Sequence, residues 1–258
     1  MSGAAPVRFR SWLVPGIDLS VFEYSADLME QALGRAVALD VVTDRSGPED
    51  EGHEFEPGGV DFGWMCSTAF VQQTDVQLVG VAWVPDDGDA LGEPRYFSDL
   101  IVPHDSPISH VSALAGKRVA CNDAASLSGF YALRFALEDV GLGIADDVEA
   151  VLTGGHLRSL DEIVAGTVDA AVVDSVTRRT HPRAGRVIAR LGPFPTQPLV
   201  AGRHVSSRDI DVVRDRLLGD LDVRGLGVLE AAGIVGFAPV SEKDYATIRR
   251  RVASVRGN

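Results

Sequence analysis

The chain contains only two cysteines in 258 residues, Cys66 and Cys121. They are too few and too far apart to form a disulfide framework. No stretch reaches the roughly 18 apolar residues that a membrane-spanning helix needs, so membrane insertion is not expected. Positive charge is also in short supply, with 24 Lys and Arg against 37 Asp and Glu and a formal net charge of -13. Such a balance repels nucleic-acid backbones and anionic lipid surfaces, and argues against both as partners. There is no GxSxG, HExxH, Walker loop or dinucleotide fingerprint, and no cofactor is implied. Residues 1–10 carry no apolar signal core and no small-residue cleavage pattern. The expected location of the sequence as it stands is therefore cytoplasmic, or extracytoplasmic and periplasmic if a leader has been removed.

What is present is ordinary globular material, 45% hydrophobic and 24% charged. It is enough for one large domain or two lobes of about 100–150 residues. The pattern alternates strand and helix. Residues 7–14 read as a strand, followed by a helix capped by Asp18, with Val21, Phe22, Leu28, Met29 and Leu33 on one face and Gly34 closing it. Strands follow at 36–43, 60–65, 76–83, 95–102, 117–122, 149–152 and 169–173, with helices between them. Residues 45–59, acidic and without periodicity, read as a surface connection. Ser206 and Asp209 form a capping box for a helix to Leu218, and Arg249–Arg251 read as a solvated helix end. This alternation predicts α/β architecture with mostly parallel sheets.

In such sheets ligands sit beyond the carboxyl ends of strands, at the loops that open helices. That rule selects four places. At Ser126-Leu127-Ser128-Gly129, first-turn N–H groups and two hydroxyls can meet an anion, and Gly129 lets it approach the backbone; a plain Ser N-cap is the simpler alternative. At 153–157, two glycines precede His156, a donor or a solvated loop residue. Asp174 ends an apolar strand and either caps the next helix or faces a ligand. Cys66-Ser67-Thr68 repeats the strand-to-helix design. Cys66, Cys121 and His156 lack metal-ligand spacing, so no metal is expected.

These pieces, in this order, resemble the phosphate/phosphite/phosphonate-binding proteins of ABC importers, which have the type II periplasmic-binding-protein fold. The resemblance is carried by the Y-x-S strand at Tyr96, "VPHDSPI", "LAGKRVA" and "SLSG" between 96 and 129. It continues in "GGHLRSLDEIVAGTVDAAVVDS", "GRVIARLGPFPTQPLVAGRHV" and "VDFGWMCSTAFV". It implies two lobes, each a mostly parallel sheet flanked by helices: residues 1–95 with 199–258, and residues 96–198. Hinge crossings would lie near 95–98 and 196–199, with a small anionic solute held between closing lobes and an ABC permease as partner. By resemblance, Tyr96, Ser126, Ser128 and His156 contact the oxyanion, and Ser67 and Thr68 meet it from the first lobe.

The sequence departs from the family pattern in three places. Leu127 stands where the family has a central hydroxyl. The acidic loop 45–59 replaces a first-lobe helix that brings an aromatic contact. Val176 and Gln197 stand where aminophosphonate binders carry acids, which disfavours a ligand bearing an ammonium. The resemblance implies a non-catalytic binder. Two alternatives share the fold: a cytoplasmic enzyme of the chorismate-dehydratase kind, for which His156 with Asp174 is the only candidate acid/base pair, and a cytoplasmic ligand sensor.

Overall fold

A computed structural model describes residues 5–13, 17–43, 45, 47–48, 53–182 and 185–256. Val14 of the expected first strand, and positions 46 and 49–52 of the acidic loop, lie outside these residues. The chain divides into two compact units, Met1–Pro94 with Pro195–Arg250, and Arg95–Phe194 with Arg251–Asn258.

The first unit is built on a six-stranded sheet. Its strands are β1 (Val7–Ser11), β2 (Val37–Val41), β3 (Phe62–Trp64), β4 (Val76–Pro85), β10 (Pro198–Gly202) and β11 (Ile234–Pro239), in the order β11-β4-β10-β3-β1-β2. β2, β1 and β3 run parallel, whereas β10 pairs antiparallel with both β3 and β4. Helices α1 (Leu19–Leu33), α2 (Ser67–Phe70), α6 (Ser207–Leu218) and α7 (Val223–Ala231) belong to this unit. The last helix, α8 (Glu242–Arg256), contributes its first turns to it.

Helix α1 forms where the apolar spacing predicts it. Asp18 accepts from the Ser20 hydroxyl at 2.5 Å and from the Ser20 backbone N–H at 2.9 Å, and these two bonds hold its carboxyl below the usual carboxylate range. Gly34 ends the helix in the left-handed conformation, φ 66°, with its N–H on the Glu30 carbonyl. The buried face includes Val21, Phe22, Leu28 and Met29. Full burial of each such side chain contributes about 1.5–3 kcal/mol. Phe22 meets Trp83 edge-on, and Trp83 stacks on Trp64 with centroids 4.2 Å apart. Phe237 of β11 extends the stack. That strand was not expected from the sequence: Gly236 and Pro239 interrupt its short run, and pairing with β4 supplies the order.

The acidic connection is not merely surface. A short 3-10 turn, His53–Phe55, drives the Phe55 ring into the core, 2% exposed, against Trp12 at 5.8 Å. Gly63 makes room, since a Cβ there would sit 2.7 Å from Trp12 and 3.1 Å from Phe55. His204 holds the turn from β10's far end, with Nδ1 at 3.0 Å from the Phe55 carbonyl and Nε2 at 2.8 Å from Asp61.

The second unit is a five-stranded sheet in the order β7-β6-β8-β5-β9. These strands are β5 (Arg95–Val102), β6 (Arg118–Cys121), β7 (Glu149–Leu152), β8 (Ala170–Asp174) and β9 (Arg186–Pro195). β7, β6 and β8 run parallel, and β5 pairs antiparallel with β8. Helices α3 (Ala132–Glu138), α4 (His156–Ala165) and α5 (Ser175–Thr180) complete it. The basic cluster is more than a solvated helix end. Arg249 pairs with Glu242 and lies over Phe70 in the first unit; Arg251 pairs with Asp139 and covers Phe135 in the second.

Candidate functional site

In the second unit the parallel strands β6 and β8 end side by side, and the helices that follow begin there. β6 leads through Asn122 and Asp123 to Ser126, which caps the next helix by accepting the Gly129 N–H at 3.1 Å. The first turn is widened. The Tyr131 N–H bonds the Ser126 carbonyl and the Ala132 N–H bonds that of Leu127, an i to i+5 pattern of the kind often found at functional sites. Ser98 of β5 pins the turn by donating to the Ser128 carbonyl at 2.5 Å.

His156 opens α4 beside this turn and is 9% exposed. The loop before it is fixed by Thr153, whose N–H bonds the Cys121 carbonyl, and by Gly154, whose N–H bonds that of Asn122. Three groups gather on His156 Nε2: Ser128 Oγ at 3.2 Å, Asp174 Oδ2 at 3.4 Å and Asn122 Nδ2 at 3.4 Å. Its Nδ1 is buried and has no hydrogen-bond partner among the described residues. Asp174 also caps α5, accepting the Thr177 N–H at 2.8 Å and its hydroxyl at 2.5 Å.

This arrangement separates two chemistries. A Ser-His-Asp relay needs serine and acid on opposite ring nitrogens. Here both meet Nε2, so the imidazole is not set up to pass a proton from Ser128 toward Asp174. What the corner offers instead is the Ser128 hydroxyl, the Asn122 amide and the His156 ring at a helix N-terminus, groups that can meet an anion, with the Asp174 carboxylate on the same ring nitrogen.

The remaining sequence-selected residues divide clearly. The Leu127 side chain is fully buried and offers no polar group to a ligand. Gly129 does not leave open space for a ligand: a Cβ there would fall 1.7 Å from Asn122 Oδ1 and 3.0 Å from His156 Cε1. Its missing side chain makes room for the asparagine. Tyr96 is 4% exposed, with its ring edge-on to Phe194 at 6.2 Å. In the first unit, Ser67 is fully buried and its hydroxyl is shared between the Pro195 carbonyl at 2.9 Å and that of Thr196 at 3.1 Å. Thr68 Oγ1 lies 3.2 Å from Cys66 Sγ. Gln197 accepts the Trp83 indole N–H at 3.0 Å. Cys121 lies in the β6 core, where burial and, secondarily, Asp123 push its thiol up to about 12. Asn122 and Ser98 were not selected from the sequence; a strand-ending Asn immediately before the capped turn was the available signal.

The chain matches a sequence profile described as ABC transporter, phosphonate, periplasmic substrate-binding protein, over residues 21–245. Solved structures with the same fold include the binding protein component of an ABC phosphonate transporter from Pseudomonas aeruginosa. It is 19% identical over 96% of this chain and 86% of that one, with a TM-score of 0.76. PhnD1 from Prochlorococcus marinus, in complex with methylphosphonate, is 15% identical over 97% and 98% of the two chains, also with a TM-score of 0.76. The alkanesulfonate-binding protein SsuA from Xanthomonas axonopodis pv. citri, bound to MOPS, is 17% identical over 99% and 93%, with a TM-score of 0.64. These likenesses confirm the type II periplasmic-binding-protein fold expected from the sequence.

Proposed function

Because the chain belongs to the phosphonate-type periplasmic substrate-binding family of ABC transporters, we propose that the Ser126–Ser128–His156 corner holds the oxyanion of a small phosphonate-like solute. The family is one of transport binding proteins rather than enzymes, so the chain is read as a binder. The observation that carries the proposal is the convergence of Ser128 Oγ and His156 Nε2 at 3.2 Å on a helix N-terminus. The buried Nδ1 of the same ring adds an unspent hydrogen-bonding valence.

Charge limits the rest of the ligand. Asp174, the acid beside the corner, is occupied by Thr177 and His156. Val176 and Gln197 supply no carboxylate, and a buried ammonium without one costs several kcal/mol. The acceptor oxygen of Gln197 is moreover engaged by Trp83. The favoured class is therefore a small oxyanion with an uncharged substituent: an alkylphosphonate, phosphite, phosphate or alkylsulfonate. The partner is an ABC permease, and the compartment is the extracytoplasmic one in which the family works.

A thermal-shift panel of methylphosphonate, phosphite, phosphate, methanesulfonate, 2-aminoethylphosphonate and acetate tests this. A true ligand at a hundredfold its Kd adds about 2.7 kcal/mol, a rise of about 5–10 °C in Tm. The Ser126→Ala/Ser128→Ala variant should lose that rise. No response to any oxyanion, or an undiminished response in the variant, contradicts the assignment.

A further inference from the structure

We propose that Asn122 is a further ligand-contacting residue of this corner, supplying an amide N–H donor to the bound oxyanion; this rests on the oxyanion reading above. Asn122 follows β6 directly, and its carbonyl is engaged by the Gly154 N–H at 2.7 Å. The orientation of its amide is settled by bonding. Oδ1 accepts the Asp123 N–H at 2.8 Å, so the other end, Nδ2, is the one that faces His156 Nε2 at 3.4 Å. An amide nitrogen has two hydrogens and accepts nothing. Among the described residues, no other hydrogen bond engages Nδ2.

The amide is also held in place by shape. It lies against the bare Cα of Gly129, where any Cβ would come within 1.7 Å of Oδ1. Asn122 Nδ2 and Ser128 Oγ therefore approach the same imidazole nitrogen, at 3.4 and 3.2 Å. An oxygen bound by Ser128 and His156 falls within reach of this amide. The turn's middle side chain, Leu127, is buried and apolar, so Asn122 restores a donor that the turn itself lacks. An oriented donor also selects among ligands: it favours an oxygen at this position over a methyl or an N–H group.

The test uses the full chain with methylphosphonate, phosphite and methanesulfonate as probes, read by calorimetry, with Asn122→Ala and Asn122→Asp compared to wild type. Loss of one neutral donor predicts about tenfold weaker binding for N122A. N122D keeps the shape and the bond from Asp123 but replaces the donor with a negative charge, and should weaken binding by more than about a hundredfold. Its unliganded Tm should stay near wild type. Binding by N122A within about twofold of wild type overturns the proposal, whatever N122D does. Should N122A fail to fold, undiminished binding by N122D overturns it instead. If wild type binds none of the probes, the oxyanion reading itself fails and the proposal falls with it; the two failures are thereby told apart.

Discussion

Asp174 Oδ2 lies 3.4 Å from His156 Nε2 while the same carboxylate caps α5 through both the N–H and the hydroxyl of Thr177. One side chain thus ends a strand, starts a helix and touches the ring at the centre of the donor cluster. The capping role expected from the sequence is present, and the same carboxylate reaches the ring of the proposed oxyanion corner.

The cap sets the first prediction. Asp174→Ala removes the acceptor for the Thr177 N–H and should cost about 1–2 kcal/mol, whereas Asp174→Asn, an equally good N-cap, should cost much less. Urea unfolding of the two variants measures the difference. Equal destabilisation would show that the charge beside His156, and not the cap, is what stabilises.

Gly129 is required by Asn122. A Cβ at 129 would lie 1.7 Å from Asn122 Oδ1, and the amide must leave its place. Gly129→Ala should destabilise by about 1–3 kcal/mol through overpacking and weaken oxyanion binding at the same time. Retention of both stability and affinity would mean that the asparagine has room to move without consequence.

The Ser67 hydroxyl donates to the Pro195 and Thr196 carbonyls from a fully buried position. Thr196 is further tied by its own hydroxyl to the Trp83 carbonyl and by Tyr245 Oη, a phenol that burial pushes up. Ser67→Ala should lower stability by about 1–3 kcal/mol, because two carbonyls lose their donor. A variant of unchanged stability but reduced affinity would assign Ser67 to the ligand instead.

The Cys121 thiol, pushed up to about 12 from an ordinary 9.0, is fully buried. It should resist a thiol reagent in the folded protein and react after unfolding. The sign of its pH effect follows from linkage. The unfolded chain releases the thiol proton first, so this group's contribution to stability is complete below about 9 and declines as pH rises toward 12. Rapid labelling at neutral pH without unfolding would refute the burial.

Much of this was legible in the sequence because local signals and tertiary demands agree. The Asp18 cap, the apolar face of α1 and Gly34 all specify one helix, and Ser206 caps α6 through the Asp209 N–H at 3.1 Å. Helix starts at Ser126, His156 and Ser175 carry strand-to-helix signals that chain order alone reveals. Illegible features depend on partners distant in sequence. Phe55 is buried because Trp12 and Gly63 receive it, although the acidic residues around it read as surface. β11 exists because β4 offers an edge. Asn122 matters because Gly129 and His156, 7 and 34 positions away, close around it. The hydroxyl of Ser67 sits in the expected motif, yet a chain segment 128 residues distant engages it.

The most direct test of the oxyanion corner is a crystal structure of the full chain grown with methylphosphonate. Phosphonate oxygens should lie about 3 Å from Ser128 Oγ and from a ring nitrogen of His156, with the Asn122 amide also in contact. Density for the phosphonate at a position that touches none of the three, or no bound ligand at saturating concentration, would contradict it.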